Sequence, residues 1–342
     1  MNWKRLRRRL RDPVVAAAAR LAVRVFGGLS YRGVVRLAGL AGALVNLSPR
    51  FRRLTGENLR VAFPEWPAAR VAAVRRQVAR NLCLTGLETA WFIGHPDEVK
   101  NYFVAVSPAA AEAFRRAAAE RPLIAVIPHL GNWEMSGQFA CLVGHLRLCA
   151  VARRNRNPGL DKLVNAGRTR HGLELIPERG AMRLMLRALR QGKSLGILMD
   201  QNITPERGGE FVDFFGLPVP TTRAPAALAR RVGVEVACFA CHREKGGFAL
   251  DVKSLPKPVA AYTSDLELTQ DLLGLNEAFI REHPEQYMWF YERWRLIPPD
   301  ASPEARARFP SYARPYQARA VSRPAQAPAD PEPETPAAEE GG

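Results

Sequence analysis

The stretch from residue 122 to 138, PLIAVIPHLGNWEMSGQ, constrains the fold more than any other. Its apolar run at 123–127 is β-branched in character and too short for a helix, so it reads as a strand buried on both faces. A strand of that kind needs covering layers on each side, which is the arrangement of a sheet sandwiched between helices. The chain that follows supplies the material. Strands are predicted at 146–152, 173–176, 194–199, 234–240 and 248–252, the last two joined as a hairpin across Lys245-Gly246-Gly247. Helices are predicted at 181–191, with Gly192 as the stop, and at 224–232 and 266–282. Strands alternating with helices predict an α/β layered domain over about 121–298. Before it the chain reads as helical. Pro64 and Pro67 bracket a break, 68–93 is an Arg-studded helix, and Ser107-Pro108 caps a helix over 109–120. No internal repeat of fixed period is present.

Charge divides the chain. Lys and Arg number 50 against 33 Asp and Glu, a net +17 over 342 residues. Residues 323–342 carry one arginine against five carboxylates, so this Pro/Ala/Glu-rich segment is −4 and the remainder about +21. With no aromatic, Leu, Ile or Val residue after Val321, the segment cannot bury apolar area and is expected to be disordered. The domains expected are a basic membrane-associating region at 1–50, an α/β domain with a helical lead-in at 51–300, and a largely disordered tail at 301–342. Five cysteines are too few for a disulfide framework. The basic excess calls for an anionic partner: nucleic acid, a phosphate-bearing membrane surface or an acidic protein.

The N-terminal region favours the membrane surface. Lys4, Arg5, Arg7, Arg8, Arg9 and Arg11 precede an Ala/Val/Leu/Gly-rich stretch broken by Arg20, Arg24, Arg32 and Arg36. The longest uncharged piece, 37–49, is shorter than the roughly 20 apolar residues a spanning helix needs. Nor does the pattern read as a cleaved signal peptide. Arg20/Arg24 and Arg32/Arg36 are i,i+4 pairs, each on one helical face, as in a basic amphipathic helix at the interface of an anionic bilayer. Packing of the same helices on the protein's own core is the competing expectation.

The chemistry concentrates after the first buried strand. His129 follows it immediately, Gly131 permits a tight turn, and Glu134 comes five residues after the histidine. The carboxyl end of a strand is where α/β sheets build their sites. Histidine can act as general base near neutrality, and a nearby carboxylate can orient the ring and fix its tautomer. A His-Glu pair at this spacing can therefore deprotonate a hydroxyl, or it can merely cap the turn and the following helix. Asp200, at the end of another buried strand, is expected to have a partner, for which Arg168 is the candidate.

The segment HLGNWE, 129–134, resembles the H-x4-D/E motif of glycerolipid-type acyltransferases, and Asn132-Trp133 makes it similar to the lipid A biosynthesis acyltransferases in particular. Further segments resemble that family in the same order: Glu57-Asn58-Leu59 with Ala62-Phe63-Pro64, Arg153-Arg154-Asn155-Arg156-Asn157-Pro158, and Gly167-Arg168-Thr169-Arg170. They continue with Met199-Asp200-Gln201, Phe214-Phe215-Gly216 with 220–225, and 284–289 with Arg293. The resemblance covers about 13–298. It implies transfer of a fatty acyl chain from acyl carrier protein to a hydroxyl of an anionic glycolipid, a lipid A precursor, at the cytoplasmic face of the cell inner membrane. It implies His129 as general base and Glu134 as its partner. Arg168 and Asp200 become functional residues, with Asn132, Arg170 and Gln201 supporting them in substrate binding. It implies no cofactor or metal. The thioester carbonyl would pass through an oxyanion, for which backbone N–H groups at 130–133 or Arg168 are the expected donors. One departure stands in the C-terminal block, where many members have His at the position of Tyr291.

Two readings compete with this one. The first keeps the chemistry and changes the acceptor to another membrane glycolipid, such as a phosphatidylinositol mannoside. The second is a non-enzymatic basic protein on membranes or nucleic acid, but no helix-turn-helix, RNP-like or zinc-finger pattern accompanies the charge, and no nucleic-acid partner is expected. Cys238-Phe-Ala-Cys241-His242 matches the haem c pattern, yet lies in a run that reads as a strand. Trp91, Phe92, Trp289, Phe290 and Trp294 are candidates for an acyl tunnel or for core, and Arg153, Arg154 and Arg156 for phosphate or carrier contact or for a solvated loop.

Overall fold

The structure is a computed structural model that describes residues 3–318, with side chains from residue 12 onward. Four helices lead the chain: α1 (Trp3–Gly27), α2 (Tyr31–Leu47), α3 (Pro49–Ala62) and α4 (Ala68–Gly94). Ser30 and Ser48 cap α2 and α3 by accepting from the N–H three residues on, which satisfies donors the helix itself leaves free. The helices are docked on the body. In α2 the buried Gly42 lies so close to α4 that a Cβ would stand 2.6 Å from the Arg80 Cα. Trp91 Nε1 donates to the Leu29 carbonyl at 3.0 Å, and Asn157 Nδ2 to that of Asp12 at 2.8 Å. Neither of the first two helices, nor any other among the described residues, is long and apolar enough to cross a membrane.

The α/β part follows as β1 (Phe103–Val106), α5 (Pro108–Ala119), β2 (Leu123–Ile127), α6 (Trp133–Leu142), β3 (Leu148–Ala152), α7 (Pro158–Thr169), β4 (Glu174–Pro177), α8 (Ala181–Arg190) and β5 (Ser194–Leu198). It continues with β6 (Gly209–Phe214), β7 (Leu217–Thr222), α9 (Ala224–Val232), β8 (Glu235–Glu244), β9 (Gly247–Ser254) and α10 (Asp265–Glu282). Seven strands form one sheet in the order β1-β9-β8-β2-β5-β3-β4, parallel except where β8 and β9 pair as a hairpin. Strand β2 sits at the centre and is buried throughout. Its side chains alternate between two cores: Ile124 and Val126 join α3, α4, α8, α9 and α10 on one face, and Leu123, Ala125 and Ile127 join α5 and α6 on the other. That is the two-faced burial its composition predicts.

Three elements escape the sequence pattern. Strand β1 is a four-residue parallel edge, α7 buries no residue fully, and β6–β7 is a separate antiparallel hairpin. A fourth difference corrects the expected domain boundary. Within 301–318, α11 (Pro303–Arg308) forms, and β11 (Arg314–Pro315) pairs in parallel with β10 (Leu296–Ile297). Side-chain contacts hold this segment down: Ser311 Oγ donates to Glu57 at 2.7 Å and Tyr312 OH to Asn58 at 2.5 Å. The disorder expected from composition for 319–342, and the side chains of Lys4–Arg11, lie outside the described residues.

Candidate active site

Parallel pairing of β2 with β5 sets Ile127 opposite Leu198. Continuing that register two residues past the strand ends brings His129 opposite Asp200. The two meet closely: His129 Nδ1 lies 2.6 Å from Asp200 Oδ1, and the His129 backbone N–H donates to Oδ2 at 2.8 Å. Asp200 is fully buried and His129 nearly so. Burial pushes the Asp200 carboxyl upward, but the His129 ring, its hydrogen bonds and the charge of Arg293 prevail and hold it below the usual carboxylate range. An ionised Asp200 must accept from Nδ1, so the ring carries its proton there and Nε2 keeps its lone pair. Gln201 Nε2 stands 3.2 Å from His129 Nε2, as a donor to that lone pair would. The side chain of Gln201 is exposed and can leave.

Behind Asp200 lies a second buried layer. Tyr287 hydrogen-bonds Asp200, and its hydroxyl is held far above its ordinary range by burial and by that carboxylate. Arg293, also buried, donates to Asn202 Oδ1 at 2.7 Å, to the Pro220 carbonyl at 3.0 Å and to Thr221 Oγ1 at 2.6 Å. Tyr291, the departure noted above, uses its hydroxyl to accept from the Asn202 N–H at 3.1 Å. The block around 284–293 thus braces the strand end that carries Asp200.

Glu134 lies in the first turn of α6 and Arg168 in the last turn of α7. They form a two-pronged pair, Nε to Oε2 at 2.7 Å and Nη2 to Oε1 at 2.5 Å. Donating to Glu134 raises the Arg168 pKa further, so the guanidinium stays charged. Here the structure corrects two expectations. Asp200 does not pair with Arg168, because β5 lies directly beside β2 and its end reaches the histidine first. Glu134 is not on the imidazole: Arg168 holds its carboxylate, while the ring nitrogens face Asp200 and Gln201.

The turn at 130–133 is fixed by backbone contacts. Gly131 has φ +61°, and a Cβ on it would stand 2.0 Å from the Cys241 carbonyl, so only glycine fits. The Leu130, Gly131 and Asn132 N–H groups donate to Pro128, Gln286 and Cys241 carbonyls at 2.7, 3.0 and 3.1 Å. Those donors are spent, which removes them from the expected oxyanion set and leaves the Trp133 N–H and Arg168. Asn132 also departs from its expected substrate contact: it is fully buried, and its Nδ2 donates inward to Glu88 at 2.9 Å.

Glu88 anchors a network that sequence reasoning missed. It accepts from Tyr31 OH at 2.8 Å and pairs with Arg243 at 2.7 Å, while Arg243 also donates to Thr85, whose hydroxyl donates to the Gly131 carbonyl at 2.8 Å. The available signal was a lone carboxylate in the apolar run LTGLETAWF of α4. Arg170 caps the end of α7 in an exposed position, without an ion pair among the described residues. Arg153, Arg154 and Arg156 form an exposed loop, Arg153 standing 3.8 Å from Glu178. Trp91, Phe92, Trp289 and Trp294 are core. Cys238 and Cys241 are buried in β8, and burial pushes both thiols up, the opposite of what metal or haem attachment requires.

A histidine whose Nδ1 meets a buried carboxylate, set at the carboxyl end of a mainly parallel sheet flanked by helices, marks the site of an α/β enzyme. Residues 14–296 match the bacterial lipid A biosynthesis acyltransferase family, and the chain belongs to that family of acyl-transferring enzymes. It is 28% identical over 280 residues to the lipid A biosynthesis lauroyltransferase of Escherichia coli K12, covering 79% of this chain and 88% of that protein. To lipid A biosynthesis acyltransferase 2 of Shigella flexneri it is 24% identical over 271 residues, 76% of this chain and 82% of the relative. A phosphatidylinositol mannoside acyltransferase of Mycobacterium tuberculosis is 28% identical over 177 residues, half of this chain and 54% of its own length.

Proposed function

We propose that the chain transfers a fatty acyl group from the thioester of an acyl carrier protein to a hydroxyl of a lipid A precursor, at the cytoplasmic face of the inner membrane. The observation that carries the mechanism is the Nδ1 contact of His129 with buried Asp200, which leaves Nε2 as the base. The acceptor hydroxyl displaces Gln201 and gives its proton to Nε2 as its oxygen attacks the thioester carbonyl. Arg168 and the Trp133 N–H face the oxyanion that develops. Collapse breaks the C–S bond, and the departing thiolate takes the proton back from Nε2. Asp200 holds the ring and stabilises its cationic form, while Glu134 holds Arg168. A carrier protein is acidic enough to suit the exposed arginines at 153–156.

Support for membrane contact comes from the N-terminal helices. Leu40, Leu44 and Leu47 on α2 are each 69% exposed at i, i+4 and i+7 spacing, and Leu21 and Val25 on α1 are also exposed. Arg20, Arg24, Arg32 and Arg36 are exposed on the same two helices. Apolar side chains free of the core and flanked by arginines suit an anionic interface. The similarity to mycobacterial relatives favours a second acceptor, a phosphatidylinositol mannoside.

The test uses purified protein, acyl carrier protein thioester and either glycolipid, read by mass spectrometry. Acyl transfer to lipid A precursor that disappears in His129→Ala, with vesicle binding retained, supports the reading. Transfer only to the mannoside moves the acceptor, and near-wild-type transfer by His129→Ala refutes the base.

A further inference from the structure

A cleft of about 1040 Å³ that the mechanism above does not use opens near the strand end that carries Asp200. Its volume reaches the upper end of small-molecule sites, which run roughly 300–1,000 Å³. One wall is Asn202, the residue after Gln201, together with Tyr291, which braces it. That wall begins one residue along the chain from Gln201, whose side chain meets His129 Nε2. The opposite wall comes from β11 and the residues after it, a part of the chain beyond the matched family region, which ends at 296. Tyr316 closes this wall by donating to Glu206 across the cleft.

The rim carries four arginines, Arg50, Arg207, Arg295 and Arg314, against two carboxylates, Glu206 and Glu292. Glu206 is occupied by Tyr316. Glu292 stands 4.0 Å from Arg50 and 3.9 Å from Arg295, contacts too long to be strong hydrogen bonds. Arg207 is tied outward to Glu178 at 2.7 Å. The Arg314 guanidinium has no ion-pair partner among the described residues. The guanidinium groups of Arg50, Arg295 and Arg314 thus line one space with donors to spare. Guanidinium forks match phosphate oxygens in geometry and charge.

We propose that this cleft binds the phosphate-bearing head group of the acyl acceptor, an assignment that rests on the acyl-transfer reading. The donor arrives at the same carbonyl carrying a phosphodiester of its own. A phosphate monoester on a sugar carries nearly two charges against one on a phosphodiester, and so suits several guanidinium groups at once, which favours the acceptor.

The test compares the full chain with Arg295→Gln/Arg314→Gln. KM is measured for a phosphorylated glycolipid, for the same lipid after phosphatase treatment, and for the acyl donor. Inorganic pyrophosphate is titrated separately and read by thermal shift without substrate. The expected result is a KM rise of about tenfold or more for the phosphorylated lipid, from the loss of charge-assisted hydrogen bonds. The kcat, the donor KM and the KM for the dephosphorylated lipid stay near wild type, and pyrophosphate no longer shifts the variant. Arg295→Lys/Arg314→Lys should recover part of the loss. A rise in donor KM instead, or equal effects on both lipids, overturns the assignment. If the wild type acylates no glycolipid yet pyrophosphate protects it through Arg295 and Arg314, the proposed function and the acceptor assignment fall while the anion site stands.

Discussion

Replacing Asp200 with Asn changes one atom and reverses the logic of the site. The carboxylate accepts twice from His129, at 2.8 Å from the backbone N–H and 2.6 Å at Nδ1. An amide has one acceptor oxygen. If that oxygen keeps the backbone N–H, the NH₂ faces Nδ1, the ring proton moves to Nε2, and the base is lost. If it keeps Nδ1, two buried donors confront each other at the backbone. The first arrangement replaces bonds to a charged group by neutral ones and the second leaves a buried donor without an acceptor, a cost of about 1–3 kcal/mol in stability. The wrong tautomer should lower kcat by roughly 10³–10⁴-fold. Single-turnover acyl transfer with saturating donor reports the chemical step, and urea denaturation reports the fold. The pH dependence gives a further check. The Asp200 pKa is depressed on folding, so its contribution is complete above the ordinary carboxylate range and is lost as pH falls through the folded value. Asp200→Asn should flatten that acid limb. A folded variant retaining more than about a tenth of wild-type kcat would refute the role assigned to this contact.

Gly131→Ala forces a Cβ against the Cys241 carbonyl at positive φ and should cost more than about 3 kcal/mol in urea denaturation; a loss near zero would mean the turn relaxes freely. Glu134→Gln removes one prong's charge from Arg168 and should lower kcat by about 10–100-fold, well short of Asp200→Asn. Equal severity of the two variants in the same assay would restore Glu134 as the imidazole's partner. His283 is depressed first by burial and then by His242, stacked on it at 4.1 Å, against the opposing charges of Glu285, Glu282 and Glu244. Protonation there favours the unfolded chain, so stability should decline as pH falls below about 6.5, and His283→Gln should lessen that decline in thermal unfolding.

The layered fold was legible because its strands announce themselves locally. LIAVI and SLGIL are unbroken apolar runs, and β2 appears at its predicted bounds. The hairpin of β8 and β9 was legible from Gly246-Gly247. By contrast, α7 has no fully buried residue and β1 is short, so neither writes a strong period into the sequence. The site was half legible for the same reason. His129, Glu134, Arg168 and Asp200 all stand where strand ends or motif spacing pointed. Their pairing depends on strand order, and β5 lies next to β2 although β3 and β4 intervene in the chain. Proximity in sequence suggested Glu134 for His129, but sheet register supplied Asp200. The 301–318 segment misled through composition, because a few specific contacts, Tyr312 with Asn58 and Ser311 with Glu57, hold what its apolar content would not.

Strand β2 has β8 and β5 as its neighbours, and both are synthesised after it. The base at 129 waits for the carboxylate at 200, the brace at 287–293 and a closing segment near 311–316. During translation this enzyme therefore has no partially competent stage. The growing chain leaves both edges of its central strand unpaired for some 70 further residues, until β5 emerges, and one edge for some 120, until β8 is complete, a long interval in which a holding factor would protect it from aggregation.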